Sequence, residues 1–152
     1  GFIYVAGENQ QTYGGFYDAS ITKLDSSGNI AWTKYIGSSL DEWATDISIT
    51  LDNSIVISGV ANYGFDGQLV NGGPDAFIAK LDIAGNKVWT KFLGSYGDDQ
   101  SSALSLGLDN SIYVTGRTSS NFSEQTSNGG TDAFISKLIN KLESKISTSL
   151  KF

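Results

Sequence analysis

The sequence of 152 residues contains no cysteine, no histidine and no methionine, and only one proline. Without cysteine the chain has no disulfide framework, no thiolate metal site and no cysteine nucleophile. Without histidine it lacks the commonest general base and the commonest zinc ligand. Because no methionine is present, there is no initiator residue, and we interpret the chain as a piece of a longer product or as a processed one.

Basic residues are also few. Ten lysine and arginine residues stand against sixteen acidic ones, which gives a formal net charge of −6. This balance argues against nucleic acid or an anionic membrane as a partner. No apolar run approaches the roughly 20 residues that span a bilayer, so we expect no membrane insertion. Charged residues make up 17% of the chain, a share too low to favour disorder driven by charge.

An internal repeat organises the chain. Three segments recur in the same order and at one constant spacing: 75–81 as 132–138, 28–37 as 85–94, and 51–55 as 108–112. Residues 3–7 match 55–59 at a smaller spacing, so the first repeat is five residues shorter in the loop before Asp18. We divide this single module into repeat one (1–40), repeat two (41–97) and repeat three (98–152).

Each complete repeat contains four candidate strands, which in repeat two are 43–51, 54–60, 76–81 and 87–93. Asp52-Asn53 is a short hairpin signal, and Gly85 in the last connection can take a left-handed conformation. The third strand is apolar on both faces, one of which a lone sandwich would expose. We therefore predict an all-β chain built of β-propeller blades, each a four-stranded antiparallel sheet, with about three repeats in an incomplete propeller.

Three sequence patterns carry a family resemblance. They are Leu-Asp-Asn-Ser-Ile-x-x-x-Gly at 51–59, Asn-Gly-Gly-x-Asp-Ala-Phe-Ile-x-Lys-Leu at 71–81 and Gly-Asn-x-x-Trp-Thr-Lys-x-x-Gly at 85–94. Together they resemble the bacterial β-propeller repeats named SBBP, over nearly all of residues 1–138. Such repeats occur in large surface or secreted bacterial proteins, often beside adhesion modules. The resemblance implies a propeller fold and an extracellular or cell-surface location, and it supplies no catalytic residues.

The last repeat departs from this pattern. Its counterpart of the Trp89 segment falls at 142–148, where Ile146 takes the tryptophan position. We expect residues 139–152 to form a degenerate outer strand, a short helix or a frayed terminus. About eleven strands fall short of three complete blades, and closed propellers have 4–8 blades. The missing blades come either from the parent chain, which we favour, or from an oligomer.

Aromatic residues on the long loop are the candidate ligand contacts, because this loop varies between repeats. We predict that Tyr63, Phe65 and Asp66, with Phe122 in the next repeat, belong to a ligand-binding loop, and we add Trp43, which Gln100 replaces in repeat three. Trp32 and Trp89 recur at one position and are interpreted as packing residues between blades.

The acidic residues fall into two repeated groups. Asp41-Glu42 and Asp98-Asp99 precede the innermost strand of a repeat. Adjacent side chains of an extended chain point apart, which argues against a catalytic pair, and the repetition favours a turn or loop role. A second set opens the third strand of each repeat and is predicted to fix a turn through backbone N–H groups: Asp18, Asp75 and Asp132. The lysines that follow them in the strand either pair with nearby acids or extend into solvent.

We predict no cofactor. Calcium is the one candidate, with oxygen ligands at Asp66-Gly67 and Asp52-Asn53, although the chain has no dedicated calcium-binding loop motif. The expected function is therefore that of a non-catalytic scaffold or interaction surface for protein or glycan in an exported bacterial protein, and not that of an enzyme. A lectin-like propeller is the alternative. A carboxylate-dependent enzyme is less favoured, and would need two acids that converge in one cleft with raised pKa values.

Overall fold

The computed structural model of the chain describes residues 1–10, 17–123, 125–139 and 146–151, the last range as backbone only. Within these ranges the structure consists of strands and turns, with no helix. The eleven strands are β1 Ile3–Asn9, β2 Asp18–Leu24, β3 Ile30–Ile36, β4 Glu42–Ile49, β5 Ile55–Ala61, β6 Asp75–Leu81, β7 Lys87–Leu93, β8 Asp99–Leu106, β9 Ile112–Thr118, β10 Asp132–Leu138 and β11 Ile146–Lys151.

These strands form three antiparallel sheets, in each of which neighbours in sequence are neighbours in space. Sheet one contains β1–β3, sheet two contains β4–β7, and sheet three contains β8–β11. The predicted all-β class and the number of strands are confirmed. The shortened loop predicted before Asp18 falls largely on 11–16, outside the described residues.

The turns form as local sequence predicts. Asn53 and Asn110 occupy the left-handed region, with φ of 60° and 59°, a conformation that asparagine tolerates better than most residues. Gly85 also has a positive φ, 83°. In that turn the Asp82 carboxylate accepts hydrogen bonds from the backbone N–H groups of Ala84 and Asn86, at 2.9 and 2.8 Å. The connections between strands are therefore fixed by short-range hydrogen bonds.

Sheet two lies between the other two sheets. Every residue of β5 and β6 is buried. One face of sheet two, including Ile57 and Phe77, packs against Ile21 of sheet one. The opposite face, including Ile78, packs against Val114 of sheet three. The predicted apolar character of both faces of the third strand is thereby explained, because β6 faces a neighbouring sheet on each side.

The first strands of sheets two and three each contain one extra residue. The pairing of β4 with β5 shifts between Ala44 and Asp46, and that of β8 with β9 shifts between Ser101 and Ala103. Each is a β-bulge, in which two residues of one strand face one of the partner. Sheet two and sheet three thus share this irregularity, and their first three strands also have the same lengths.

The C-terminal segment pairs with β10 as a strand over Ile146–Lys151. This confirms the outer-strand alternative there, while 140–145 and 152 lie outside the described residues. The predicted alignment of Ile146 with Trp89 is wrong. Ile146 pairs with Leu138, as Lys87 pairs with Leu81 in sheet two, because the connection is two residues longer.

Candidate functional site

The predicted ligand-binding aromatics do not converge. Phe65 is 7% exposed, and its ring centroid lies 5.4 Å from that of Phe77 and 5.0 Å from that of Phe92. Phe122 is 4% exposed and stacks on Phe134 at 4.4 Å. Phe65 belongs to the core between sheets one and two, and Phe122 to the core between sheets two and three. A buried ring has no free face for a ligand, so both act as packing residues.

The other three predicted residues lie nearer the surface. Tyr63 is 50% exposed, and Trp43 is half-buried on β4. Asp66 holds a positive φ of 57° and accepts hydrogen bonds from the Lys87 ammonium and from Thr90 Oγ1, the latter at 2.7 Å. Asp66 therefore ties the loop to β7, and Tyr63 is the aromatic of the predicted set that remains exposed.

Lysine side chains already contact the acids predicted as calcium ligands. Asp52 Oδ2 lies 3.0 Å from Lys80 Nζ, and Asp66 is paired with Lys87. Hydrogen bonds from the Thr50 hydroxyl and then from Lys80 lower the pKa of Asp52. An ammonium group thus provides the positive charge that a metal would otherwise supply at each of these acids. The ion pair of Lys80 also agrees with the predicted pairing of the repeated lysines with nearby acids.

A buried carboxylate pair links sheet one to sheet two. The backbone N–H of Glu42, the first residue of β4, donates to the carbonyl of Tyr17 at 2.8 Å, which sets Glu42 beside Asp18. Both acidic side chains are fully buried. Ser38 donates to both carboxylate oxygens of Glu42, from its backbone N–H at 2.6 Å and from its hydroxyl at 2.5 Å. A Cβ atom on Gly37 would overlap both carboxylates, so a glycine is required there.

This environment changes the acidity of Glu42. Burial raises the pKa of Glu42 to about 7, and the neighbouring charges of Asp18 and Asp41 act in the same direction. Two carboxylates held side by side away from water disfavour double ionisation. The Glu42 carboxyl group therefore keeps its proton to a higher pH than an ordinary glutamate does.

An equivalent pair links sheet two to sheet three. The N–H of Asp99, the first residue of β8, donates to the carbonyl of Pro74 at 2.7 Å, so Asp99 lies beside Asp75. Both side chains are fully buried. Asp75 Oδ2 accepts from the N–H of Asn71 at 2.8 Å. Asp99 Oδ2 accepts from both the N–H and the hydroxyl of Ser95, each at 2.6 Å.

One oxygen of each carboxylate in this second pair has no hydrogen-bond partner. These are Asp75 Oδ1 and Asp99 Oδ1, both buried. Burial raises the pKa of Asp75 to about 6, and the charge of Asp99 adds to the effect. A Cβ on Gly94 would overlap the Asp75 carboxyl group. The sheet boundary thus contains two inward-facing oxygens and a glycine that leaves room for them.

The turn role predicted for the acids of the third strand is confirmed where hydrogen bonds are seen. Asp75 accepts from Asn71, and Asp132 Oδ2 accepts from the Asn128 N–H at 3.1 Å and the Ser127 hydroxyl at 2.7 Å. The loop interpretation of Glu42 and Asp99 is wrong, because each begins a strand. Sequence reasoning missed the pairing itself, although the two members of each pair stand equally far apart along the chain.

A hydroxyl network joins the first strands of sheets two and three. Thr45 Oγ1, at the bulge of β4, lies 3.0 Å from Ser58 Oγ and 2.7 Å from Ser101 Oγ. The backbone N–H of Leu104 donates to Asp46 Oδ2 at 2.8 Å. Polar contacts between their first strands therefore hold these two sheets together, in addition to the apolar core.

The described residues contain neither a group of three or more potential metal ligands nor a membrane-spanning helix. Across 1–10, 17–123, 125–139 and 146–151, no three acidic side chains gather in a way that would hold a metal ion. The same ranges contain no helix of the length and apolarity required to cross a membrane.

The chain has a distant relative among known proteins. No protein family matches the chain. The chain is 26% identical over 139 residues to Regulatory protein FlaEY of Caulobacter vibrioides (strain ATCC 19089 / CIP 103742 / CB 15). The match covers 84% of this chain, and the chain spans 15% of the length of that protein.

Proposed function

We propose that the chain is part of an SBBP-type β-propeller that serves, without catalysis, as a scaffold or interaction surface in an exported bacterial protein. One observation carries the proposal: sheet two is buried on both faces, and equivalent residues form its boundary with sheet one and its boundary with sheet three. Each sheet would then be one blade, and 41–97 one complete unit.

The equivalence of the two sheet boundaries supports a ring. Ile57 and Phe77 of sheet two face sheet one, and their counterparts in the next repeat, Val114 and Phe134, face sheet two. Backbone hydrogen bonds at the two boundaries are equivalent as well, since Tyr17 and Pro74 play the same part. Equivalent contacts set each sheet at the same angle to the sheet before it. When that constant angle closes a full turn, the successive sheets form a ring.

Further blades would be required to complete such a ring. In sheets one and two, Asp18 and Asp75 each lie against an acid from the next sheet, and Asp132 holds the same position in sheet three. We propose that another repeat of the parent chain packs against sheet three at this position, with an oligomer as the alternative. The much greater length of the Caulobacter protein is in keeping with additional repeats in a parent chain.

The loop 62–74 suits the display of a variable tip on a fixed base. Phe65 is buried, and Asp66 is bonded to β7, which anchors the base of the loop. At the tip Tyr63 and Leu69 are 50% and 73% exposed. Phe122 repeats the anchor in repeat three, whereas polar residues stand there in place of Tyr63 and Leu69. A rigid base with a changing tip favours contact with a protein partner.

The structure weakens both alternatives without removing them. An enzyme requires carboxylates that reach substrate, whereas Asp18, Glu42, Asp75 and Asp99 are fully buried. A lectin requires exposed rings, and of the loop aromatics Phe65 and Phe122 are in the core. Contact with glycan would therefore depend on Tyr63. Protein contact is the function that we put forward, in an extracellular or cell-surface setting.

Tandem arrays of the complete unit test the propeller proposal. Genes encoding three to eight copies of 41–97 are expressed, and the free energy of unfolding and the radius of gyration are measured for each. A closing ring gives an abrupt gain in stability and a compact radius at one copy number between four and eight. A steady gain with each added copy, as in an open stack, would overturn the proposal.

A glycan array probes the alternative function. The glycan binding of the chain and that of its Tyr63→Ala variant are compared on the same array. Binding that the substitution abolishes would favour the lectin-like alternative over protein contact, while absence of glycan binding by both agrees with our proposal.

A further inference from the structure

We infer that Asp75 and Asp99 form a site for a divalent cation of the calcium type, at the boundary between sheets two and three. The inference rests on two fully buried carboxylates that share one boundary and on one oxygen of each that has no hydrogen-bond partner. It concerns the boundary itself and does not depend on the proposed function.

The hydrogen bonds orient the two carboxylates. Asn71 and Ser95 take the Oδ2 atoms of Asp75 and Asp99, respectively. The Oδ1 atoms are left without donors in the interior. The backbone bond from Asp99 to Pro74 holds the two residues next to each other. The donors therefore fix the carboxylates and leave one oxygen of each to a further ligand.

The local charge requires compensation. A buried carboxylate is stable only when a positive group or a proton neutralises it. The lysines that form ion pairs in the described part of the chain, Lys80, Lys87 and Lys137, contact Asp52, Asp66 and Asp109 instead. No ammonium or guanidinium group of the described residues thus forms an ion pair with Asp75 or Asp99, and a bound cation would supply the missing charge.

The chemistry of the oxygen atoms that would bind the cation selects its class. Both free atoms are carboxylate oxygens, and the chain has neither histidine nor cysteine to attract zinc or copper. Calcium accepts carboxylate, backbone carbonyl and water oxygens in irregular geometry, whereas magnesium demands an almost ideal octahedron. Two protein carboxylates with carbonyl or water oxygens suit calcium better.

The first carboxylate pair provides a matched control within the same chain. Both oxygens of Glu42 accept hydrogen bonds from Ser38. Asp99 differs, because both donors from Ser95 reach the same oxygen. Glu42 therefore offers no oxygen without a donor at the boundary between sheets one and two, and we place no cation there.

Thermal unfolding of the full 152-residue chain tests the inference. After treatment with EDTA, the midpoint is followed by circular dichroism in EDTA, in millimolar CaCl₂ and in millimolar MgCl₂. We expect calcium to raise the midpoint by about 5 °C or more and magnesium to raise it less. An unchanged midpoint in calcium would overturn the inference and would indicate that the pair is neutralised by a proton.

Isosteric substitutions locate the effect. Asp75→Asn and Asp99→Asn should each abolish the shift caused by calcium, whereas Glu42→Gln should retain it. Isothermal titration with CaCl₂ gives the same comparison by a second measurement, and remains interpretable for one aspartate variant if the other fails to fold. A calcium response that persists in both aspartate variants, or one that is lost in Glu42→Gln alone, would contradict the assignment.

Discussion

Gly59 on β5 lies directly opposite Phe77 on β6, and the phenylalanine ring occupies the space that a side chain at position 59 would fill. A Cβ at Gly59 would overlap the ring and come against the backbone carbonyl oxygen of Trp43. Gly116 and Phe134 repeat the relationship in sheet three. Glycine and aromatic thus form a matched cross-strand pair in two of the three sheets.

Replacement of this glycine should be costly. We predict that Gly59→Ala lowers the free energy of unfolding by about 2 kcal/mol, because the ring and a backbone oxygen must both shift. Gly7→Ala is the matched control, since Gly7 faces Ser20 and a Cβ there meets nothing within 4 Å. It should change stability by less than about 0.5 kcal/mol. Urea unfolding measures both, and equal losses would contradict the argument.

Truncation of Phe65 should destabilise the chain and not merely alter binding. The ring packs edge-on against Phe77 and Phe92 inside the core, so Phe65→Ala should cost about 3 kcal/mol. Tyr63→Ala, two positions earlier on the same loop, removes a half-exposed ring. Its effect on the free energy of unfolding should be within about 0.5 kcal/mol. A neutral Phe65→Ala would return Phe65 to the candidate ligand contacts.

Stability should depend on pH through Glu42. Its pKa is raised from 4.5 to about 7 in the folded chain, so the folded state binds the proton more tightly than the unfolded state. The contribution of the bound proton to the free energy of unfolding is complete below about pH 4.5 and is lost as the pH rises through 7. In buffer with EDTA, which keeps metal ions from contributing to stability, this rise in pH should lower the free energy of unfolding by about 2 to 3 kcal/mol.

The Glu42→Gln variant isolates that dependence. Glutamine keeps the size of the side chain and carries no titrating proton. The difference in unfolding free energy between wild type and variant, measured by urea denaturation from pH 4.5 to 8, should change in this window. A constant difference would show that Glu42 does not titrate there, and Asp82→Asn at an exposed turn serves as a control for general charge effects.

The Asp82 side chain should stabilise the turn between β6 and β7. It accepts from the N–H groups of Ala84 and Asn86 and from the Asn86 amide. We predict that Asp82→Ala lowers the free energy of unfolding, because the turn loses three hydrogen bonds. Asp25→Ala removes the same set of bonds between β2 and β3 and should cost a similar amount. Thermal melts of the two variants make the comparison.

Local chemistry explains what the sequence predicts well. The hairpin at Asp52-Asn53 and the left-handed Gly85 depend on contacts within a few residues, so residue types alone indicate them. The strands follow from short apolar runs between these turns. The burial of Phe65 was not predicted because its loop was taken as variable, although Phe122 recurs at the same spacing as the other repeated segments.

Long-range packing explains what the sequence does not predict. Glu42 and Asp18 lie in different sheets and meet only once those sheets have packed. No local pattern distinguishes a buried acid at the start of a strand from a solvated acid in a loop. The available signal was the equal separation of Asp18 from Glu42 and of Asp75 from Asp99. The extra length between β10 and β11 likewise escaped prediction, because the repeat pattern stops at its start.

The central position of sheet two has a consequence for opening motions. Sheets one and three each have one covered face among the described sheets, whereas β5 and β6 are enclosed from both sides. Amide protons of these two strands can then reach solvent only when a neighbouring sheet detaches first. Deuterium exchange should proceed from the outer sheets toward the middle, and peptides covering 55–61 and 75–81 should be the last to take up label.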